Sequence, residues 1–127
     1  MERSMIRTVG VFTCLAGLLI TGCIWNRGGR DLGELTAVPI TEVAYLCIGE
    51  ARLTASYYVL SDKTLHFVRL DMPGGEMVTL PSALSASGSR YTDEREYVWR
   101  VKGREGFLEK RGNDGDWRPY LEDCRQL

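Results

Sequence analysis

The sequence predicts an all-β domain, an antiparallel sandwich or closed β-barrel, behind a leader and a flexible tether. Three observations carry this. Apolar and polar residues alternate with period two in several segments, as in strands buried on one face. Turn-forming residues punctuate the chain at roughly ten-residue intervals, the spacing of short strands joined by hairpins. No segment past the leader sustains the 3.6-residue period of an amphipathic helix.

The leader comes first. Arg3 and Arg7 precede an uncharged apolar run from Thr8 to Ile20. Such a run is too short for a spanning helix, which needs roughly twenty residues, and suits the apolar region of a signal peptide. It ends in Leu19-Ile20-Thr21-Gly22-Cys23, which resembles the lipobox of bacterial lipoproteins: an aliphatic residue, small residues, then the cysteine that is lipidated. The resemblance implies removal of residues 1–22 and a lipid on Cys23. Several acyl chains anchor stably, because each buried CH₂ contributes about 0.8 kcal/mol. Ile24 follows where an Asp would favour inner-membrane retention. The expected location is therefore the outer membrane, facing the periplasm.

Residues 23–43 read as lipidated N-terminus and tether, since Gly28, Gly29, Gly33 and Pro39 break any period. The folded domain is expected over 44–127, on the order of 80 residues, a size at which one core is marginal and a covalent staple helps. Sixteen basic residues against seventeen acidic ones leave a net charge of −1, which argues against nucleic acid, since phosphate binding wants a basic face. Of four cysteines, Cys14 lies in the leader and Cys23 takes lipid. Cys47 and Cys124 remain, an even pair in an oxidising compartment, and a disulfide between them is expected. With His66 the sole histidine, no metal or other cofactor is expected.

Within the domain, Arg52 to Leu60 alternates Leu53, Ala55, Tyr57 and Val59 against Thr54, Ser56 and Tyr58. Further strands are expected at Thr64 to Leu70, at Met77 to Leu80 (closed by Pro81), at Tyr97 to Val101, at Phe107 to Arg111 and from Trp117 towards Cys124. Asp93-Glu94-Arg95-Glu96 and Asn113-Asp114-Gly115-Asp116 read as turns. Closure is favoured physically, because so small an open sheet would expose two edges.

Two segments carry a further resemblance. Ser87-Gly88-Ser89-Arg90-Tyr91 and Tyr97-Val98-Trp99-Arg100-Val101-Lys102-Gly103, set between Tyr45-x-Cys47 and Cys124, are similar to the paired segments of the membrane-bound and periplasmic inhibitors of c-type lysozyme. The resemblance covers roughly residues 44–125. It implies a barrel of eight antiparallel strands, a non-enzymatic protein, and c-type lysozyme as partner. It also assigns the inhibitory contacts to Ser87 and Lys102, with Gly88, Arg90, Tyr91, Tyr97 and Gly103 in support. C-type lysozyme works with a protonated Glu and an ionised Asp. An ammonium suits the carboxylate, and a hydroxyl can donate to or accept from the other carboxyl. The rival reading is a small envelope lipoprotein that binds a ligand or acts as a scaffold. An enzyme ranks last, for want of an acid–base pair with a nucleophile.

Overall fold

The structure, a computed structural model, describes residues 33–127. The expected leader 1–22, the expected lipid site Cys23 and most of the tether lie outside the described residues. Eight strands follow one another: β1 (Ala37–Leu46), β2 (Arg52–Leu60), β3 (His66–Asp71), β4 (Met77–Ala83), β5 (Ser89–Thr92), β6 (Tyr97–Lys102), β7 (Glu105–Arg111) and β8 (Trp117–Gln126). A single 3₁₀ turn, Ile48–Glu50, joins β1 to β2. Each strand pairs antiparallel with its neighbour in sequence, and β8 returns to β1, so the sheet closes. Every edge is thereby removed.

The alternation decides what lies inside. Tyr45, Leu53, Ala55, Val68, Leu70, Leu80, Tyr97, Trp99 and Leu108 form one buried core, with Val43, Tyr57, Tyr91, Val101 and Leu121 packed against it. Trp99 fills the centre. Its indole N–H donates to the Tyr57 hydroxyl at 3.2 Å, and its ring meets the Tyr45 ring edge-on at 5.2 Å. Gly106 makes room for it, since a Cβ there would lie 2.5 Å from the indole. Burial pushes the Tyr57 phenol well above its ordinary value, with the indole N–H opposing that shift.

The closing seam is short. β1 meets β8 only through Tyr45↔Gln126 and Leu46↔Arg125. Three further links hold it: the Cys47–Cys124 disulfide, the Leu127 N–H on the Ala44 carbonyl at 3.0 Å, and the Gln126 side-chain amide on the Tyr45 hydroxyl at 3.3 Å. The staple expected from cysteine arithmetic thus sits at one of the two shortest ladders of the sheet, the other being β4–β5.

The structure differs from expectation at three places. The folded unit begins before residue 44, because β1 starts at Ala37 and takes in the last part of the expected tether. Its alternation is hidden by an irregularity between Pro39 and Thr41, where the register against β2 shifts, and a bulge of this kind resets which side chains face inward. β4 runs through Pro81 to Ala83. Pro81 is the last residue paired with β3, and Ser82 is the first paired with β5, so the missing N–H falls where one ladder hands over to the next. The four-residue β5 was not expected as a strand; its first three residues, Ser89 to Tyr91, belong to the first of the two motif segments.

Candidate functional site

The β4–β5 loop and the β6–β7 turn lie side by side at one end of the barrel. The seat between them is Gly88. Its φ of +67° is open to glycine, and a Cβ there would stand 2.2 Å from the Val101 carbonyl oxygen and 3.3 Å from the Lys102 Cβ. The loop therefore rests its backbone directly on the end of β6. Immediately before this seat, the Ser85 hydroxyl donates to the Ser87 carbonyl at 2.7 Å and fixes the loop's shape. Immediately after it, Ser89 pairs with Val101.

Lys102 is the last residue of β6 and faces Glu105 across a turn whose central residues are Gly103 and Arg104. Gly103 has φ +60°, while Arg104 is not in the positive region. Positive φ at the first central residue only is the pattern of a type II′ hairpin turn, which asks for glycine there. Trp99 points inward, so the alternation turns Arg100 and Lys102 outward.

Ser87 and Lys102 line one open depression of about 350 Å³, together with Arg100, Glu105, Phe107 and Asp123. Two of the surrounding charges are engaged: Arg100 pairs with Glu109 at 3.4 Å, and Glu105 lies 4.0 Å from Arg125. Among the described residues, Lys102 makes no ion pair and the Ser87 hydroxyl makes no hydrogen bond. The depression thus offers one ammonium and one hydroxyl, both exposed and both on backbone pinned by tight turns. An anionic or protonated carboxyl is what such a pair can satisfy.

The other motif residues take different places. Gly88 and Gly103 shape the two turns. Arg90 is half-buried and pairs with Glu94 at 2.8 Å. Tyr91 packs inward on Tyr57, with ring centroids 5.5 Å apart, and burial raises its phenol despite a bond with Ser89. Tyr97 is at the opposite end of β6 from Lys102. It is buried, donates its hydroxyl hydrogen to Glu76 Oε1 at 3.0 Å, and lies under the Lys110 ammonium at 5.0 Å from the ring centroid. Tyr91 and Tyr97 are therefore part of the frame, and the structure does not bring Tyr97 to the depression. His66 is exposed at the start of β3. Among the described residues, no group of His, Cys, Asp and Glu is arranged to hold a metal.

Sequence reasoning missed Arg100, Glu105, Phe107 and Asp123 as neighbours of the pair. The alternation could have found Phe107, because an inward Leu108 turns its predecessor out. Asp123 could not have been found: it sits at φ +46° within β8, a local irregularity that no residue pattern announces.

Comparison with known proteins bears on this geometry. The family model described as membrane-bound lysozyme-inhibitor of c-type lysozyme matches residues 45–117, from Tyr45 at the seam to Trp117 at the start of β8. A protein of Cupriavidus necator named membrane-bound lysozyme inhibitor of C-type lysozyme is 34% identical over 86 residues, covering 68% of this chain and 66% of its own length. A Yersinia enterocolitica protein of the same name is 28% identical over 125 residues, 98% of this chain and 88% of its own. No solved structure matches the chain at a comparable level. The family match takes in both motif segments and everything between β1 and β8 that brings them together, and the chain belongs to the family of membrane-bound inhibitors of c-type lysozyme.

Proposed function

We propose that this protein inhibits c-type lysozyme by inserting the Ser87 loop and the Lys102 turn into the enzyme's cleft, and so shields peptidoglycan. The observation that carries the reading is the Gly88 seat, which sets a hydroxyl and an ammonium, both unpaired among the described residues, on adjacent tight turns. The ammonium meets the ionised Asp of the cleft. The hydroxyl meets the Glu, which it can serve in either protonation state. The protein acts as an occluding ligand and performs no chemistry of its own. It is held in the envelope by lipid on Cys23, at the outer membrane facing the periplasm. The names of the two relatives, both membrane-bound inhibitors, support attachment to a membrane.

The test is lysis of cell walls by a hen-type lysozyme with and without the purified protein. A chitooligosaccharide that occupies the cleft should compete with the inhibitor. Undiminished lysis at micromolar protein, with several c-type lysozymes, would leave the scaffold reading in its place. The anchor is tested separately: Cys23→Ser should release the protein from membranes, and retention after a high-salt wash would contradict it.

A further inference from the structure

Leu84 is 98% exposed, whereas Leu127, next among the exposed large hydrophobic residues, is 65% exposed. It opens the loop that carries Ser87, in a stretch otherwise made of small residues from Pro81 to Ser89. The Gly88 seat holds the far end of the loop against β6, and the Ser85–Ser87 hydrogen bond sets its shape between Leu84 and that seat. On the far side of Lys102, Phe107 lines the same depression and is 41% exposed. The strand order β4, β5, β6, β7 thus sets the loop that Leu84 opens on one side of β6 and the strand that carries Phe107 on the other.

We infer that Leu84 is a specificity-determining contact of the inhibitory site, packing on the apolar wall of the lysozyme cleft beside the protonated glutamate. The inference rests on the proposed function and adds a residue to it. The glutamate of c-type lysozyme keeps its proton because it sits in a hydrophobic pocket against a tryptophan. A ligand that brings a hydroxyl to that carboxyl must also cover the apolar wall, or water is left trapped against it. Leu84, on the Ser87 loop, supplies that cover. Seen from Lys102, Leu84 and Phe107 also exclude water from the rim of the contact, and such exclusion strengthens the central polar pair. The two carboxyls are common to enzymes that share the mechanism, whereas the shape of an apolar wall is not. Leu84 is accordingly the contact that discriminates among target lysozymes.

The experiment compares inhibition of a hen-type lysozyme, and of a second c-type lysozyme that differs along that apolar wall, by the wild-type protein, Leu84→Ser, Leu84→Met and Lys102→Ala, each at low and at high salt. The Leu84→Ser loss should differ between the two enzymes while the Lys102→Ala loss does not, and equal Leu84→Ser losses would overturn the specificity role. Leu84→Ser should weaken inhibition by about ten-fold or more, as expected for losing a buried leucine contact. Leu84→Met should stay close to wild type. The Leu84→Ser loss should be equal at both salt concentrations, while the Lys102→Ala loss shrinks as salt rises. Melting temperatures should not change, because Leu84 buries nothing within the domain. Wild-type inhibition by Leu84→Ser would overturn the inference and leave the proposed function standing. So would a Leu84→Met loss as large as that of Leu84→Ser, or a Leu84→Ser loss explained by a lowered melting temperature. Failure of the wild-type protein to inhibit would remove the proposed function, and this inference with it.

Discussion

Gly88 and Gly103 flank Lys102 in space, and the structure asks different things of them. At Gly103 the requirement is φ alone, for nothing lies within 4 Å of a Cβ built there. Gly103→Ala should cost about 1 kcal/mol of left-handed strain and little inhibition. At Gly88 the same strain is joined by a collision with the Val101 carbonyl, backbone that has no room to yield. Gly88→Ala should therefore cost about 2–4 kcal/mol, the strain plus overpacking, and lift the Ser87 loop off β6, weakening inhibition at least ten-fold. Thermal melts alongside lysis assays check both variants; equal effects from the two would contradict the seat. Gly106 poses a third case, since a Cβ there strikes the Trp99 ring. Gly106→Ala should cost about 1–3 kcal/mol, measured by denaturant unfolding. The sequence made Gly88 and Gly103 visible through the motifs that contain them, but the space each occupies depends on contacts across strands.

At the scale of elements, the β5–β6 turn is held by the Asp93 carboxylate together with the buried Thr92 hydroxyl, which donates to the Tyr97 carbonyl at 2.7 Å and accepts from the Glu94 N–H at 2.9 Å. Asp93 Oδ1 accepts backbone N–H bonds from Glu96, Arg95 and Tyr97 at 2.9, 3.0 and 3.1 Å. Its partial burial opposes ionisation, but those three donors together prevail and hold the carboxyl below its usual value. A depressed folded pKa means the stabilisation is fully present above the unfolded value of about 3.9 and is lost as pH falls through the folded one. Asp93→Ala should thus lower stability by about 1–2 kcal/mol at neutral pH. The gap between wild type and variant should close on acidification below about pH 4, as followed by thermal melts. A gap that does not change with pH would count against the carboxylate. The turn itself was legible as Asp93-Glu94-Arg95-Glu96, as were the strands with clean alternation: β2 runs over the residues the pattern marks, Arg52 to Leu60. β1 and β5 were not legible as strands. The register shift at Pro39/Thr41 breaks the pattern of the first, and the four residues of the second are too few to show a period. In the site, the resemblance singled out Ser87 and Lys102. Leu84 and Phe107 belong to no motif; the alternation around Leu108 turns Phe107 outward, but its place beside Lys102 became visible only once strand order was known.

At the scale of the molecule, the barrel closes through two residue pairs and a disulfide spanning 77 residues of sequence. The chain-entropy model assigns a loop of that length about 4.5 kcal/mol. Reduction, or replacement of both Cys47 and Cys124 by Ala, should lower unfolding free energy by about 3–5 kcal/mol in denaturant titrations. The β1–β8 amides, Tyr45 to Leu46 and Arg125 to Leu127, should then be the first to lose hydrogen-exchange protection. Protection lost first elsewhere would show that the seam is not the weak line. The disulfide therefore acts on the site at a distance: it keeps closed the barrel whose β5–β6–β7 side carries Ser87 and Lys102. That the Lys102 ammonium acts on the enzyme's own catalytic carboxylate is the central claim, and a double-mutant cycle tests it most directly. Dissociation constants are measured for wild-type protein and Lys102→Ala, each against a c-type lysozyme and its variant with the catalytic aspartate changed to asparagine. The account predicts a coupling of about 1.5 kcal/mol or more, as found for close charge pairs across interfaces. Losses that simply add, with no coupling between Lys102 and that aspartate, would contradict it.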